Sequence, residues 1–435
     1  MGLESKAQGG ESRFAAYVET ITSALGHADR AAPFRSYCTG LLLPGDRKSV
    51  EPMAARVQPG RVRATHQSLH HLVAKADWSD DGVLAAVRAR VLPVIERRGP
   101  IRAFIIDDTA MPKKGKHSVG VARQYCGQIG KQDNCQVAVS LSAANDHASL
   151  PIAYRLYLPH EWVEDPARRA AAGVPDDVVF QTKPQIARGQ IRAAVAAGIA
   201  AEVALGDAGY GNDTDFRDGV TEIGLPYVLG IQSATSLWPP GVEPLPPRKW
   251  SGHGRPTSSI RRDAERQPIS AKQLAQDLPK RAWRRVTWRV ASHTKRASRF
   301  AAVRVRPAHR DYHRSTPRPE EWCLIEWPAD EPEPTKYWLS TLPATTGRRA
   351  LVNMAKLRWR IERDYQDLKQ ELGLGHYEGR GWRGFHHHAT LCIAAYGFLV
   401  SEREAIPPSG PRDALLIQEH GLPHGYRPRG APDQT

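Results

Sequence analysis

Cysteine is scarce and dispersed in this chain. There are five in 435 residues, at positions 38, 126, 135, 323 and 392, and no two form a Cys-x-x-Cys pair. That spacing excludes a disulfide scaffold and a structural zinc module, and leaves five small buried hydrophobes as the simplest reading. Long apolar runs are also missing. The most apolar stretch, 391–400, is far too short to span a bilayer, which excludes a membrane protein. The first twelve residues are polar with no apolar segment behind them, so no secretory leader is expected and the cytoplasm is the expected compartment. Acidic residues are in deficit, 46 against 61 Lys and Arg, for a net charge of +15 and a pI near 9.7. Such a balance favours a polyanionic partner. Hydrophobic residues at 41% and charged residues at 25% are ordinary for a globular chain, and the length suits two or three domains.

The charge is concentrated. Residues 248–320 hold 20 Lys and Arg against 5 Asp and Glu, so this one segment carries an excess equal to that of the whole chain. Trp250, Trp283 and Trp288 lie within it, with His253, His293, His309 and His313. Basic residues neutralise phosphates and interleaved aromatics can stack on unpaired bases. A single arginine there is more often just solvated, but the cluster as a whole reads as a nucleic-acid contact.

Along the chain, residues 1–12 read as a frayed terminus. From Arg13 to about Arg97 the apolar spacing is helical, with Leu69, Leu72, Val73 and Trp78 on one face. Asp80 is expected to cap a helix that starts near Gly82 and buries Val83, Leu84, Val87 and Val91. At Ile101 the pattern changes. Ile101–Ile106, Cys135–Leu141 and Leu150–Leu158 read as strands, Lys183–Ala197 as a helix, Ala201–Gly206 as a strand, Phe216–Gly224 as a weak helix and Pro226–Gly230 as a strand. Proline-rich stretches at 239–247 and 328–334 flank a basic block with strand-like segments Arg285–Ala291, Ala301–Arg306 and Trp322–Trp327. Tyr337–Leu342 reads as a further strand, Arg348–Leu372 as one long helix and Thr390–Ser401 as an apolar helix. The Pro- and Gly-rich tail reads as poorly ordered. No internal repeat is present.

This order predicts an α/β fold: an RNase H-like core interrupted by a basic, β-rich insertion, with an all-α N-terminal domain. The expected division is 1–99 helical and DNA-binding, 100–231 the first part of the core, 232–336 the insertion, 337–404 the second part of the core, and 405–435 a disordered tail.

Four acidic residues stand out. Asp107 and Asp108 close the first expected strand, Asp207 closes a later one in Leu-Gly-Asp-Ala-Gly-Tyr-Gly, and Glu362 lies on the long helix. Each alone has an ordinary reading, since Asp fills turns and caps and Glu decorates helix surfaces. Together they form a set that only a fold can gather, and an Asp/Asp/Glu set suits hard Mg²⁺ and two-metal phosphoryl transfer. Gly209 and Gly211 would allow a sharp turn and a close substrate approach. Arg358, Glu362, Tyr365 and Lys369 share one helical face, either as an ion-paired row or as a metal ligand flanked by phosphate-gripping cations. Glu371 is a lower-ranked third acid. Lys113, Lys114 and Lys116 read equally as phosphate contacts or as turn lysines. His386, His387 and His388 cannot all face one ion, and read as surface or DNA-facing residues. Trp322, Trp327 and Trp338 read as core residues.

At these residues the chain resembles bacterial insertion-sequence transposases of the DDE superfamily, and more closely the insertion sequence 701 family near the insertion sequence 4 group. The motifs are Phe-Ile-Ile-Asp-Asp-Thr (104–109), Lys-Lys-Gly-Lys-His-Ser-Val-Gly-Val-Ala-Arg-Gln-Tyr (113–125), Asn-Cys-Gln-Val (134–137), Gly-Asp-Ala-Gly-Tyr-Gly (206–211), Trp-Leu-Ser-Thr-Leu-Pro (338–343) and Arg-Trp-Arg-Ile-Glu-Arg-Asp-Tyr-Gln-Asp-Leu-Lys-Gln-Glu-Leu-Gly-Leu (358–374). Asp-Arg-Lys-Ser-Val-Glu-Pro-Met (46–53) and His-Gln-Ser-Leu-His-His (66–71) also fit, so the resemblance covers about residues 13–400. It implies a catalytic set of Asp107, Asp207 and Glu362. Asp108 is a rival metal ligand beside Asp107, and Arg358 and Lys369 stand at the signature cation positions. The signature tyrosine falls at position 355, which is Ala355 here. The resemblance further implies two Mg²⁺, replaceable by Mn²⁺, and a bacterial, nucleoid-associated enzyme that cuts and joins DNA. Its partners would be the terminal inverted repeats and target DNA, and it would work as at least a dimer. In similar transposases a tryptophan of the insertion can stack on a flipped base. The rival readings are a domesticated, non-catalytic DNA-binding protein and a metal-dependent endonuclease that cuts without joining.

Overall fold

The computed structural model describes residues 2–250, 252–253, 258–289 and 295–406. His293, and the expected tail beyond Ile406, lie outside the described residues. The chain opens with helices α1 (Gly2–Thr22), α2 (Ala31–Leu42), α3 (Val50–Val57), α4 (Val62–Ala74) and α5 (Asp80–Glu96). Strands β1 (Ala103–Pro112), β2 (Ala122–Cys126), β3 (Lys131–Ala144) and β4 (Ser149–Leu156) follow, then α6 (His160–Val163), α7 (Pro166–Ala172) and α8 (Lys183–Ala196). Next come β5 (Val203–Gly206), α9 (Ala208–Gly211), α10 (Thr214–Glu222), β6 (Tyr227–Ile231), β7 (Ser236–Trp238), β8 (Ile269–Ser270) and α11 (Ala271–Asp277). The remainder is β9 (Arg284–Arg289), β10 (Lys295–Pro307), β11 (Glu321–Trp327), β12 (Lys336–Ser340), α12 (Arg348–Leu357), α13 (Trp359–Gln370) and α14 (Trp382–Ala405). The fold is mixed α/β. Among the described residues no helix is long and apolar enough to cross a membrane.

The chain divides into two compact units. One draws on residues up to Arg102, Asp108–Gln190 and the chain from Arg360; the other on Ala103–Asp107 and Ile191–Trp359.

In the first unit, α14 is the central helix and packs against α2, α4, α5 and β4. It begins at Trp382, eight residues before the expected start, because three histidines that interrupt the apolar pattern are themselves internal. His386, His387 and His388 are 8%, 2% and 1% exposed, so they are not surface or DNA-facing residues. Each has partners that make burial tolerable. The Leu156 amide donates to His386 Nε2 at 3.2 Å; His387 stacks on Trp78 at 3.6 Å with Nε2 3.0 Å from the Trp78 carbonyl. His388 lies 2.9 Å from the Tyr37 hydroxyl and 3.0 Å from the Gly373 carbonyl. Burial pushes all three imidazoles down to about 4. The cap of α5 is Ser79 rather than Asp80: the Gly82 amide donates to Ser79 Oγ at 3.1 Å, while the Asp80 carboxylate takes the Thr390 hydroxyl of α14. Residues 2–12, expected to fray, continue α1.

In the second unit the order is β1-β5-β6-β12-β11-β10-β7-β8, with β9 pairing β10. β1, β5 and β6 are parallel neighbours, and the described residues of β5 and β6 are buried throughout, as continuous apolar strands of a parallel sheet must be. β12, β11, β10, β7 and β9 then add antiparallel, so the basic segment continues this sheet. The turn after β5 is set by backbone proximity. A Cβ on Gly211 would fall 1.8 Å from the Gly230 carbonyl oxygen of β6. Gly211 therefore serves the packing of α9 on β6. The long helix expected over 348–372 is two helices, α12 and α13, with Arg358 between them, and the unit boundary falls one residue later.

Two measurements check this packing. Gly211→Ala drives a methyl into a main-chain oxygen, and the expected loss is about 3 kcal/mol or more in urea unfolding. His388→Gln changes the pH dependence of stability. A buried imidazole with a depressed pKa stays neutral in the fold while the unfolded chain takes the proton, so its contribution is present above about 6.5 and lost as pH falls towards 4. Burial raises Asp80 to about 7, which acts in the opposite sense, so the informative quantity is wild type minus variant. That difference should change by about 1.4 kcal/mol per pH unit between pH 6 and 5. An unchanged slope would mean that His388 protonates in place.

Candidate active site

The register of the parallel strands accounts for the first pair of acids. Ala103, Phe104 and Ile105 of β1 align with Val203, Ala204 and Leu205 of β5. Asp107 and Asp207 each lie two residues beyond the last aligned pair, at the carboxyl-terminal side where open α/β sheets receive ligands. Their hundred-residue separation in sequence is the strand register itself. Asp207 also caps α9, its Oδ1 accepting from the Gly209 amide at 2.8 Å.

A cation stands between the two carboxylates. Arg358 Nη2 donates to Asp107 Oδ2 at 3.0 Å and lies 4.0 Å from Asp207 Oδ2. Asp107 and Arg358 are largely covered; Asp207 is half-exposed. The arginine follows α12, which a neighbouring lysine fixes to the sheet. Lys356 Nζ meets Glu326 Oε2 at 2.6 Å and lies over the rings of Trp288 at 4.3 Å, Trp338 at 5.4 Å and Phe300 at 5.6 Å. Burial lowers its pKa and the Glu326 partner opposes that shift. The sequence reading missed Lys356; nothing in its spacing marks a lysine that is caged by three aromatic rings.

Asp108 belongs to different company. β1 does not end at Ile106 but runs on to Pro112, because Thr109, Ala110 and Met111 are buried strand residues. Successive side chains of a strand point to opposite faces, so Asp107 and Asp108 cannot aim alike. Asp108 Oδ2 accepts from Lys183 Nζ at 2.7 Å. Lys183 was likewise missed from the sequence.

Within its own unit, Glu362 is an exposed residue in the first turn of α13. The opposite side of that helix is anchored. Buried Asp364 Oδ1 accepts from Ser149 at 2.6 Å and from Tyr396 at 2.8 Å, and Arg360 Nη1 donates to the His147 carbonyl at 2.9 Å. Lys369 Nζ donates to the Ala110 carbonyl of β1 at 3.0 Å, and Tyr365 is buried. Lys113 Nζ donates to the Tyr377 carbonyl at 2.8 Å, and burial lowers its pKa; Lys114 and Lys116 are exposed. Glu371 lies just past α13 and is exposed.

The tryptophans sort by environment. Trp338 and Trp288 are buried, whereas Trp322 and Trp327 are half-buried under arginines, Arg304 at 5.2 Å and Arg299 at 4.2 Å. All five cysteines are free and buried, as their spacing suggested.

For a divalent ion the donor chemistry fits: two carboxylates share a cation on the carboxyl-terminal side of the paired parallel segments, and hard oxygen donors are what Mg²⁺ prefers. Among the described residues, no group of three or more His, Cys, Asp or Glu side chains stands together as a metal site.

Comparison with known proteins places the chain. A family profile for DDE superfamily endonucleases matches residues 20–295, well over half of the sequence, and the chain belongs to that family. It is also similar to the probable transposase for insertion sequence element IS701 of Microchaete diplosiphon. The two are 31% identical over 168 residues, which cover 38% of this chain and 41% of that protein. The resemblance read from the motifs is thus borne out.

Proposed function

We propose that the chain is a DNA transposase, which cuts the ends of its insertion sequence and joins them to target DNA. The observation that carries this reading is the β1–β5 register, which pairs Asp107 with Asp207 around Arg358. Family membership supports it, as does the match to a probable transposase. The parallel β1-β5-β6 set is the centre of an RNase H-like core in this reading.

Asp107, Asp207 and Glu362 would hold Mg²⁺, or Mn²⁺ in its place. When bound, two such ions activate the attacking oxygen and stabilise the leaving oxygen of an in-line displacement. Arg358 sets a positive charge between the two aspartates, beside the place where a phosphodiester would enter. Lys369 and the exposed Lys114 and Lys116 supply further positive charge along the DNA backbone. Lys113 fixes its loop to the Tyr377 carbonyl. Asp108, paired with Lys183, is a supporting residue rather than a ligand. Cutting and pairing two element ends calls for at least two copies of the chain.

The test uses labelled DNA that carries the element's two ends, with Mg²⁺, read on a sequencing gel. Asp107→Asn, Asp207→Asn and Glu362→Gln should each lower cleavage about a thousandfold or more, since the ligands act as a unit. Asp108→Asn should stay within about tenfold of wild type. Cleavage without joined products would favour an endonuclease that does not transfer strands. Binding without cleavage by wild type would favour a non-catalytic DNA-binding protein. Full cleavage by Glu362→Gln would remove Glu362 from the set and bring Glu371 forward.

A further inference from the structure

The antiparallel ladder of β9 and β10 places Arg285 directly opposite Arg299. Like charges facing each other across a ladder destabilise a sheet. Both Arg285 and Arg299 are exposed, and among the described residues neither has a carboxylate partner. The acids of the adjacent β11 are committed elsewhere. Glu326 lies on the other face, in register with Phe300, and is bound to Lys356; Glu321 is buried and accepts from the Tyr227 hydroxyl at 2.7 Å.

Arg299 is nevertheless held in place. In the β10–β11 register it faces Trp327, and its guanidinium lies 4.2 Å from that ring's centre. Trp327 is itself fixed, with Nε1 donating to the Glu331 carbonyl at 2.9 Å and the Trp283 ring set edge-on at 5.3 Å. Stacking occupies the flat face of a guanidinium and leaves its N–H edge free to donate. A cation fixed in direction, opposite a second cation, with no anion among the described residues paired to either, is an arrangement that an external anion completes.

We infer that Arg285 and Arg299 form a two-arginine clamp for one phosphodiester of DNA, with Trp327 as the plate that orients Arg299. This rests on the DNA-acting reading above and names the residues through which the basic segment would grip the backbone. A backbone clamp is blind to base sequence, so it contributes affinity and salt dependence, not specificity.

The experiment measures fluorescence anisotropy of a labelled DNA duplex of arbitrary sequence over a salt series, with the full chain. Neutralising both residues, Arg285→Gln with Arg299→Gln, should weaken binding about tenfold or more and flatten the slope of log K against log salt by about one. Arg285→Lys should keep the wild-type slope. Arg285→Glu places an opposite charge beside Arg299, and should lose binding while its melting temperature holds or rises, which separates ligand contact from structural support. Unchanged affinity and slope in the double variant, with a wild type that binds, would overturn the clamp and leave the transposase reading intact. A wild type that binds no DNA would overturn both.

Discussion

Two carboxylates at the same level of adjacent parallel strands repel each other, and the repulsion strengthens as water is excluded. Arg358 supplies the opposing charge, reaching Asp107 at 3.0 Å and Asp207 at 4.0 Å. Much of the second unit can be understood as the means of delivering that guanidinium. The arginine is useful only if α12 ends at the right place, and α12 is held by a lysine whose charge is nearly enclosed. A buried ion pair costs several kcal/mol in lost hydration, which its own attraction offsets only when the geometry is good. Here Glu326 meets the ammonium directly and three aromatic faces surround it. The rings replace part of the lost hydration with quadrupole attraction, so the lysine is a rigid pin rather than a flexible surface charge.

The parts legible in the sequence were those with a local signature. Short runs of buried aliphatic residues marked β5, β6 and β11, and the aspartate that follows β5 marked one side of the centre. What escaped was set by contacts between distant segments. β1 was read as ending at Ile106 because two aspartates usually close a strand; in fact they lie mid-strand, and Thr109–Met111 are buried beyond them. Alternation within that strand separates Asp107 from Asp108, a distinction that no motif can make. One helix was read over 348–372, yet the apolar period continues unbroken through the point where the chain passes from one unit to the other. The three histidines looked polar and therefore external. Their burial depends on the Leu156 amide, the Trp78 ring and the Tyr37 hydroxyl, none of which lies near them in sequence.

The basic segment shows how charge and order can coexist in a sheet. Its strands are added to the same ladder as β12, so arginines project from a fixed register instead of from loops. Tryptophans then cover the apolar stems and planes of the arginines, as Trp322 does for Arg304 and Trp327 for Arg299. The positive charge carried by these strands is therefore placed by backbone hydrogen bonds.

The parallel pairing of β1 with β5 joins residues a hundred positions apart, and Arg358 arrives a further hundred and fifty later. Contacts of such long range form slowly, because the intervening chain must be closed before any attraction is gained. During synthesis the two aspartates emerge well before the arginine that neutralises them. A growing chain thus cannot assemble a balanced acidic centre until α12 has left the ribosome, and α14, on which the N-terminal helices pack, follows later still. Both the acidic centre and the core of the first unit therefore wait for the C-terminal part of the chain.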